Sequence, residues 1–138
     1  GLKDEGELIH AERPELFQLP HVVDMTGKLN LDELMSFISQ VDGLVACSTG
    51  VLHLASALGK FALGLYSPMK PIHPGRWMPI GNHADYLVVN KKCNDCRRSK
   101  ICKCVNDISV EEVKEKIETY LPTIRNKKYV EYELKSKI

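Results

Sequence analysis

Near the middle of the chain, an apolar run ends in a short polar turn and a second apolar run follows. Residues 44–47 are typical of a buried strand, and 51–58 of a helix. Such a junction leaves the first backbone N–H groups of the helix without intrahelical partners, and with the helix dipole they form a site for an anion such as phosphate. Gly50 would let a ligand approach the backbone, and Ser48 or Thr49 can cap the helix. The alternative is an ordinary strand–helix junction that binds no ligand, and the spacing of the residues alone favours this alternative.

Strand-like and helix-like segments alternate, which predicts an α/β fold with a largely parallel sheet. The predicted strands are 21–25, 44–47, 62–66 and 86–89. The predicted helices are 4–12, 31–41, 51–58 and 110–121, and the second and fourth begin with the capping-box pairs Asn30/Glu33 and Ser109/Glu112. A loop rich in Pro, Gly and His occupies 67–83.

The composition is that of a folded domain. Of the 138 residues, 43% are apolar and 27% are charged, and the net charge of +1 gives no electrostatic case for nucleic acid or membrane binding. We assign 1–122 to one domain and 123–138 to a charged, partly helical tail. Because an α/β unit needs a strand before its first helix, we expect at least one element upstream of residue 1.

Several motifs follow one another along the chain: Gly1 with Glu5, Thr26-Gly27-Lys28, Ser48-Thr49-Gly50 with His53-Leu54-Ala55, Arg76-Trp77, and Pro79-Ile80-Gly81. In this order they resemble the C-terminal half of bacterial glycosyltransferase family 9, which contains the heptosyltransferases of lipopolysaccharide synthesis. The resemblance covers about residues 1–121. It implies a GT-B enzyme with two Rossmann-like domains, of which this chain would be the donor-binding one.

The resemblance also implies roles for individual residues. Thr49 and Gly50 would bind the donor diphosphate, Glu5 the ribose hydroxyls and Leu29 the base, and His53 would lie near the phosphates or the sugar. Ser48 stands where the family has an Asp that accepts hydrogen bonds from the transferred sugar, and Val51 stands where it has Pro. The family's catalytic base lies in the N-terminal domain, so we expect no catalytic residue here, no activity of this chain alone and no catalytic cofactor.

The implied reaction transfers a heptose-like sugar from a nucleotide diphosphate sugar, usually ADP-linked, to lipopolysaccharide core or a related surface glycan. We therefore expect a bacterial, cytoplasmic protein, peripheral at the inner membrane, with the N-terminal domain as partner and no nucleic acid. One alternative is another GT-B enzyme, such as a nucleotide-sugar epimerase. The other is a non-catalytic interaction module that contains zinc.

Four cysteines lie close together near the end of the predicted domain: Cys93, Cys96, Cys102 and Cys104. Four thiolates can complete a tetrahedral zinc site, and the leading C-x-x-C has the usual spacing. Free thiols and disulfides are the alternatives, with structural zinc slightly favoured. The basic residues between them favour a solvated loop over contact with anionic lipid. A fifth cysteine, Cys47, is interpreted as a small buried apolar residue rather than a nucleophile.

Overall fold

The computed structural model describes residues 1–70, 73–90 and 103–135, with 123–135 as backbone only. The chain forms two compact units, Gly1–Phe37 and Ile38–Ile138. In the described ranges, no helix has both the length and the apolar character needed to cross a membrane. The predicted domain boundary at residue 122 stays a prediction.

The first unit begins with α1 (Lys3–Glu12), followed by a 3-10 turn at Pro14–Gln18. A carboxylate oxygen of Glu5 accepts a hydrogen bond of 2.6 Å from the backbone N–H of Leu2, which satisfies one of the donors at the start of the helix. The helix ends just before Pro14, because the residue that precedes a proline disfavours helical backbone. The helix predicted at 4–12 is thereby confirmed.

The strand predicted at 21–25 is wrong. In the described residues no strand pairs with this segment, and Val23 is 76% exposed. The carboxylate of Asp24 instead accepts hydrogen bonds from the Thr26 backbone N–H (2.8 Å) and hydroxyl (2.6 Å). This local turn competes with strand formation, and Gly27, with a φ of +66°, completes it.

A second helix, α2 (Leu31–Gln40), begins at the predicted capping box. The backbone N–H of Asn30 donates to the Glu33 carboxylate (2.8 Å), and the Glu33 N–H donates to the Asn30 side-chain oxygen (3.0 Å). Both donors at the helix start are thereby satisfied. Within α2 only Ile38 is fully buried.

The second unit is built on a parallel sheet of three strands in the order β1 (Gly43–Cys47), β2 (Phe61–Tyr66) and β3 (Ala84–Val88). The register pairs Gly43 with Phe61 and Ala62 with Ala84. The central strand is buried along almost its whole length, which explains its continuous apolar sequence. The three strands predicted in this region are confirmed to within two residues.

Helices cover both faces of this sheet. α3 (Gly50–Ala57) packs on β1 and β2 through side chains that include Leu52 and Ala55. On the opposite face, Tyr120 of α5 (Val110–Lys135) stacks on Phe61 at 4.4 Å. Lys116 of the same helix donates to Asp85 at 2.6 Å. A parallel sheet between helices confirms the predicted Rossmann-like α/β fold.

The predicted end of the last helix at Pro122 is wrong. α5 begins with the predicted capping box of Ser109 and Glu112, but it continues through Pro122 as far as Lys135. Proline removes one hydrogen bond from the helix interior. The residues after Pro122 include several Lys and Glu, which are good helix formers. The helix therefore continues beyond the proline.

Candidate functional site

The start of α3 lies at the carboxyl end of β1, where the sequence predicts the anion site. Thr49 is the residue immediately before the helix and has extended backbone. Its hydroxyl donates backwards to the Cys47 carbonyl at 3.1 Å, and among the described residues no side chain caps the helix. The predicted position of the helix start is therefore confirmed, whereas the predicted cap by Ser48 or Thr49 is wrong. In the described residues the Leu52 N–H donates to the Thr49 carbonyl at 3.2 Å, so the N–H groups of Gly50 and Val51 are the ones left to bind an anion.

Gly50, the first residue of α3, is needed neither for backbone conformation nor for packing. Positive φ values occur, among the described residues, only at Gly27 and Gly59. A Cβ built on Gly50 would meet no described atom within 4 Å. The absence of a side chain therefore leaves open space beside the helix start, which a ligand can use to approach the backbone.

A buried tyrosine borders the same turn. Tyr66, at the carboxyl end of β2, has 0% of its surface exposed. Its hydroxyl donates to the Trp77 carbonyl at 2.5 Å. Burial raises the pKa of Tyr66, and Ser48 opposes that shift, so the phenol keeps its proton at neutral pH.

Aromatic and basic side chains form a wall beside the turn. His53, one turn into α3, meets the Trp77 ring edge-on, with 6.2 Å between ring centres. The Arg76 guanidinium carbon lies 5.9 Å from the centre of the Trp77 ring. Both residues belong to the short helix α4 (Pro74–Trp77), and Trp77 is 45% exposed. This wall offers an aromatic surface and a positive charge to a ligand.

The segment after α4 is fixed to the back of α3. The Ser56 hydroxyl donates to the Ile80 carbonyl at 2.6 Å, and Pro79 is fully buried. A Cβ on Gly81 would approach the Ser56 hydroxyl to 2.9 Å. The Pro79-Ile80-Gly81 motif therefore holds the loop against the helix rather than contributing polar groups to the turn.

Comparison with known proteins gives the same result as the motifs. The model of glycosyltransferase family 9 (heptosyltransferase) matches residues 2–105. The chain belongs to glycosyltransferase family 9. The lipooligosaccharide heptosyltransferase 2 of Haemophilus influenzae is 34% identical over 71 residues, which are 50% of this chain and 20% of that protein. No solved structure matches the chain.

For this family 9 chain, the predicted donor-binding residues divide between the two units. The second unit brings Ser48, Thr49, Gly50 and His53 together at the start of α3. Glu5 and Leu29 belong to the first unit. There the Glu5 carboxylate accepts a hydrogen bond from the Leu2 N–H, and Leu29 is partly buried. Because only one carboxylate oxygen of Glu5 makes that bond, the other can accept from a ribose hydroxyl. The donor-binding roles of all six residues stay predictions.

The cysteine predictions have different outcomes. Cys93, Cys96 and Cys102 lie outside the described residues, while Cys104 is buried at the start of a 3-10 helix (Cys104–Asp107). The zinc site therefore stays a prediction, and the described ranges contain no group of three or more metal-ligating side chains. The interpretation of Cys47 as buried is wrong: Cys47 is exposed, because it ends an edge strand of the sheet.

Sequence reasoning missed Tyr66 as a site residue and treated it as part of a buried strand. A signal was present, because Tyr66 closes an otherwise apolar strand at the edge where ligands bind in open α/β sheets. A buried tyrosine hydroxyl also requires a hydrogen-bond partner. The identity of that partner depends on the position of α4, which no local pattern specifies.

Proposed function

We propose that this chain binds the nucleotide-sugar donor of a glycosyltransferase through the start of α3. The uncapped helix start beside the open space at Gly50 carries the proposal. In glycosyl transfer, negative charge develops on the diphosphate as it leaves. Backbone N–H groups that are already oriented toward the diphosphate stabilise that charge, with no need for a metal ion.

The side chains around the turn suit a nucleoside diphosphate that carries a sugar. Thr49 and Gly50 present backbone to the phosphates, and Ser48 and His53 supply polar atoms beside them. Trp77 is partly exposed, so a sugar ring can reach it. The apolar face of the indole complements the C–H groups of a sugar. Glu5 at the ribose and Leu29 at the base keep the roles that the family resemblance implies for them.

The proposed sugar is heptose-like, the proposed nucleotide is ADP, and the proposed acceptor is lipopolysaccharide core or a related glycan. The family description and the name of the Haemophilus influenzae relative support the sugar and the acceptor class. The proposal places the reaction at the cytoplasmic face of a bacterial inner membrane. It also requires an N-terminal domain that supplies the catalytic base, so this chain alone binds the donor without turnover.

Calorimetric titration with ADP, UDP, GDP and CDP tests the proposal. We expect one diphosphate, ADP, to bind more tightly than the others. Gly50→Val should abolish this binding, because a branched side chain would fill the open space at the helix start. Ala57→Val is the matched control, since it places the same residue at the exposed far end of α3 and should leave binding intact.

Two results would contradict the proposal: no binding of any diphosphate, or equal binding by the parent and Gly50→Val. Metal analysis of the purified chain separates the remaining alternative. A non-catalytic interaction module would retain zinc and ignore nucleotides. The proposed structural zinc on Cys93, Cys96, Cys102 and Cys104 predicts about one zinc ion per chain, together with nucleotide binding.

A further inference from the structure

The residue before α4, His73, accepts hydrogen bonds from three backbone N–H groups of that helix. Its ring nitrogen Nδ1 accepts from Gly75 at 3.1 Å, and its carbonyl accepts from Arg76 at 3.0 Å and from Trp77 at 3.3 Å. Because α4 has only four residues, it has no further turns to stabilise it. The conformation of Arg76 and Trp77 therefore depends on His73.

The local sequence explains why a ring caps this helix. Pro74 has no N–H, so Gly75 carries the first N–H group that needs an acceptor. The residue before a proline disfavours helical backbone, and His73 is extended, with a φ of −67° and a ψ of 143°. A Cβ on Gly75 would lie 3.3 Å from the His73 Nδ1, so a residue without a side chain lets the ring come this close.

A cap made by an imidazole depends on its protonation state. The nitrogen that accepts a hydrogen bond carries no proton, so the capping ring of His73 is neutral with its proton on Nε2. A proton on Nδ1 would turn the acceptor into a second donor facing the Gly75 N–H. Histidine side chains change charge between about pH 8 and pH 5. The cap is therefore present at the upper end of this range and is lost as the pH falls through it.

The other end of α4 is held by groups that do not titrate in this range. The Tyr66 hydroxyl donates to the Trp77 carbonyl, and burial raises the pKa of Tyr66 above its usual 10.0. The Ser56 hydroxyl donates to the Ile80 carbonyl. A fall in pH therefore releases α4 at its start while its end stays fixed.

Other groups near α4 carry charge or can gain it. Arg76 lies in α4 itself, and Lys70 lies three residues before His73; arginine and lysine side chains keep their charge between about pH 5 and pH 8. His53 of α3 meets the Trp77 ring edge-on. Its protonation would affect the same tryptophan, so an experiment has to separate the two histidines.

We propose that His73 is a positioning residue of the donor site, whose neutral ring holds Arg76 and Trp77 in place and whose protonation releases them. This inference rests on the proposed function, and it adds that donor binding depends on pH. Affinity for the donor should fall between about pH 7.5 and pH 5.5, because the aromatic and basic wall beside the turn loses the cap that fixes it.

The first test needs no ligand, because Trp77 is the only tryptophan of the chain and intrinsic fluorescence reports on it. Its emission should shift to longer wavelength, and acrylamide should quench it more, at about pH 5.5 than at about pH 7.5. His73→Asn supplies an amide oxygen that caps a helix without titrating, so this variant should show no shift. His53→Gln should keep the shift of the parent.

The second test measures ADP-heptose binding by calorimetry at the same two pH values. Both phosphates of ADP-heptose are esterified, whereas the terminal phosphate of ADP titrates near pH 6. The loss of affinity at the lower pH should be about fivefold greater in the parent than in His73→Asn, the effect of one ordinary hydrogen bond. Any effect of His53 protonation is common to both chains and cancels in this comparison.

Each outcome decides a different point. An emission shift that persists in His73→Asn, or one that is absent from the parent, overturns the role of His73; the parent result needs no variant to fold. If the emission behaves as expected but the pH dependence of binding is the same in the parent and His73→Asn, the inference is wrong and the proposed function stands. If ADP-heptose binds the parent at neither pH, the proposed function fails and the inference fails with it.

Discussion

Two helices of the second unit begin at a hydroxyl residue, yet only one of them is left able to bind an anion. At α5, the Ser109 backbone N–H donates to the Glu112 carboxylate (2.8 Å), and the Glu112 N–H donates back to the Ser109 hydroxyl (3.2 Å). At α3, the Thr49 hydroxyl donates instead to the Cys47 carbonyl. The first helix start is closed by its own side chains, and the second is not.

The difference depends on one position. Three residues after Ser109 stands Glu112, while three residues after Thr49 stands Leu52, which is fully buried in the core. A carboxylate at this position occupies the backbone donors and repels a second anion. α2, with Asn30 and Glu33, follows the pattern of α5. The helix start that lacks the acid is the one at the edge of the sheet where the proposed diphosphate binds.

The largest expected effect comes from placing an acid in the first turn of α3, at the neighbour of the buried Leu52. Val51, the second residue of α3, is half-buried, and Val51→Glu should weaken ADP binding tenfold or more. Two like charges about 4 Å apart near a protein surface repel by about 1–4 kcal/mol. Calorimetry checks this, with the uncharged Val51→Gln as matched control. Equal binding by the Glu and Gln variants would show that no anion binds here.

The second-largest effect is expected when the cap of α5 is removed. Ser109→Ala should destabilise the chain by about 1 kcal/mol, because a helix-start N–H loses its acceptor. The thermal midpoint, followed by circular dichroism, should fall by about 4 °C. ADP binding should not change. A loss of binding in this variant would mean that the two helix starts are not independent.

A smaller effect depends on pH. Hydrogen bonds from the Ser109 backbone N–H and hydroxyl lower the pKa of Glu112 below its usual 4.5. The charged carboxylate therefore stabilises the fold above that value, and this contribution is lost as the pH falls through the lowered value. Glu112→Gln should melt below the parent at about pH 7, and the gap should narrow by about pH 3. A gap that is independent of pH would contradict the assignment.

The smallest effect is expected at Thr49. Because its hydroxyl does not cap α3, Thr49→Ala should change the free energy of unfolding by less than about 0.5 kcal/mol. Denaturant titrations of this variant and Ser109→Ala, run side by side, measure the contrast directly. A cost at Thr49 equal to that at Ser109 would show that Thr49 caps its helix in solution.

Local patterns in the sequence predict much of this fold. The Asn30/Glu33 and Ser109/Glu112 boxes are confirmed because their hydrogen bonds join residues three apart and need no distant partner. The predicted strands of the sheet are confirmed because burying their apolar side chains between helices removes them from water. The strand predicted at 21–25 is wrong because a strand needs a partner, which the sequence of this segment does not specify, and the hydrogen bonds between Asp24 and Thr26 form a local turn instead.

The sequence by itself determined the strand–turn–helix unit and the position of the helix start, because both follow from hydrophobic periodicity and short-range hydrogen bonding. It also carried the motifs that resemble glycosyltransferase family 9. Only the tertiary structure decided that the Thr49 hydroxyl does not cap α3, and that the Tyr66 hydroxyl reaches the Trp77 carbonyl. A side-chain hydroxyl has several possible acceptors, and its partner depends on which of them the packing of β1, β2 and α4 brings within hydrogen-bond distance.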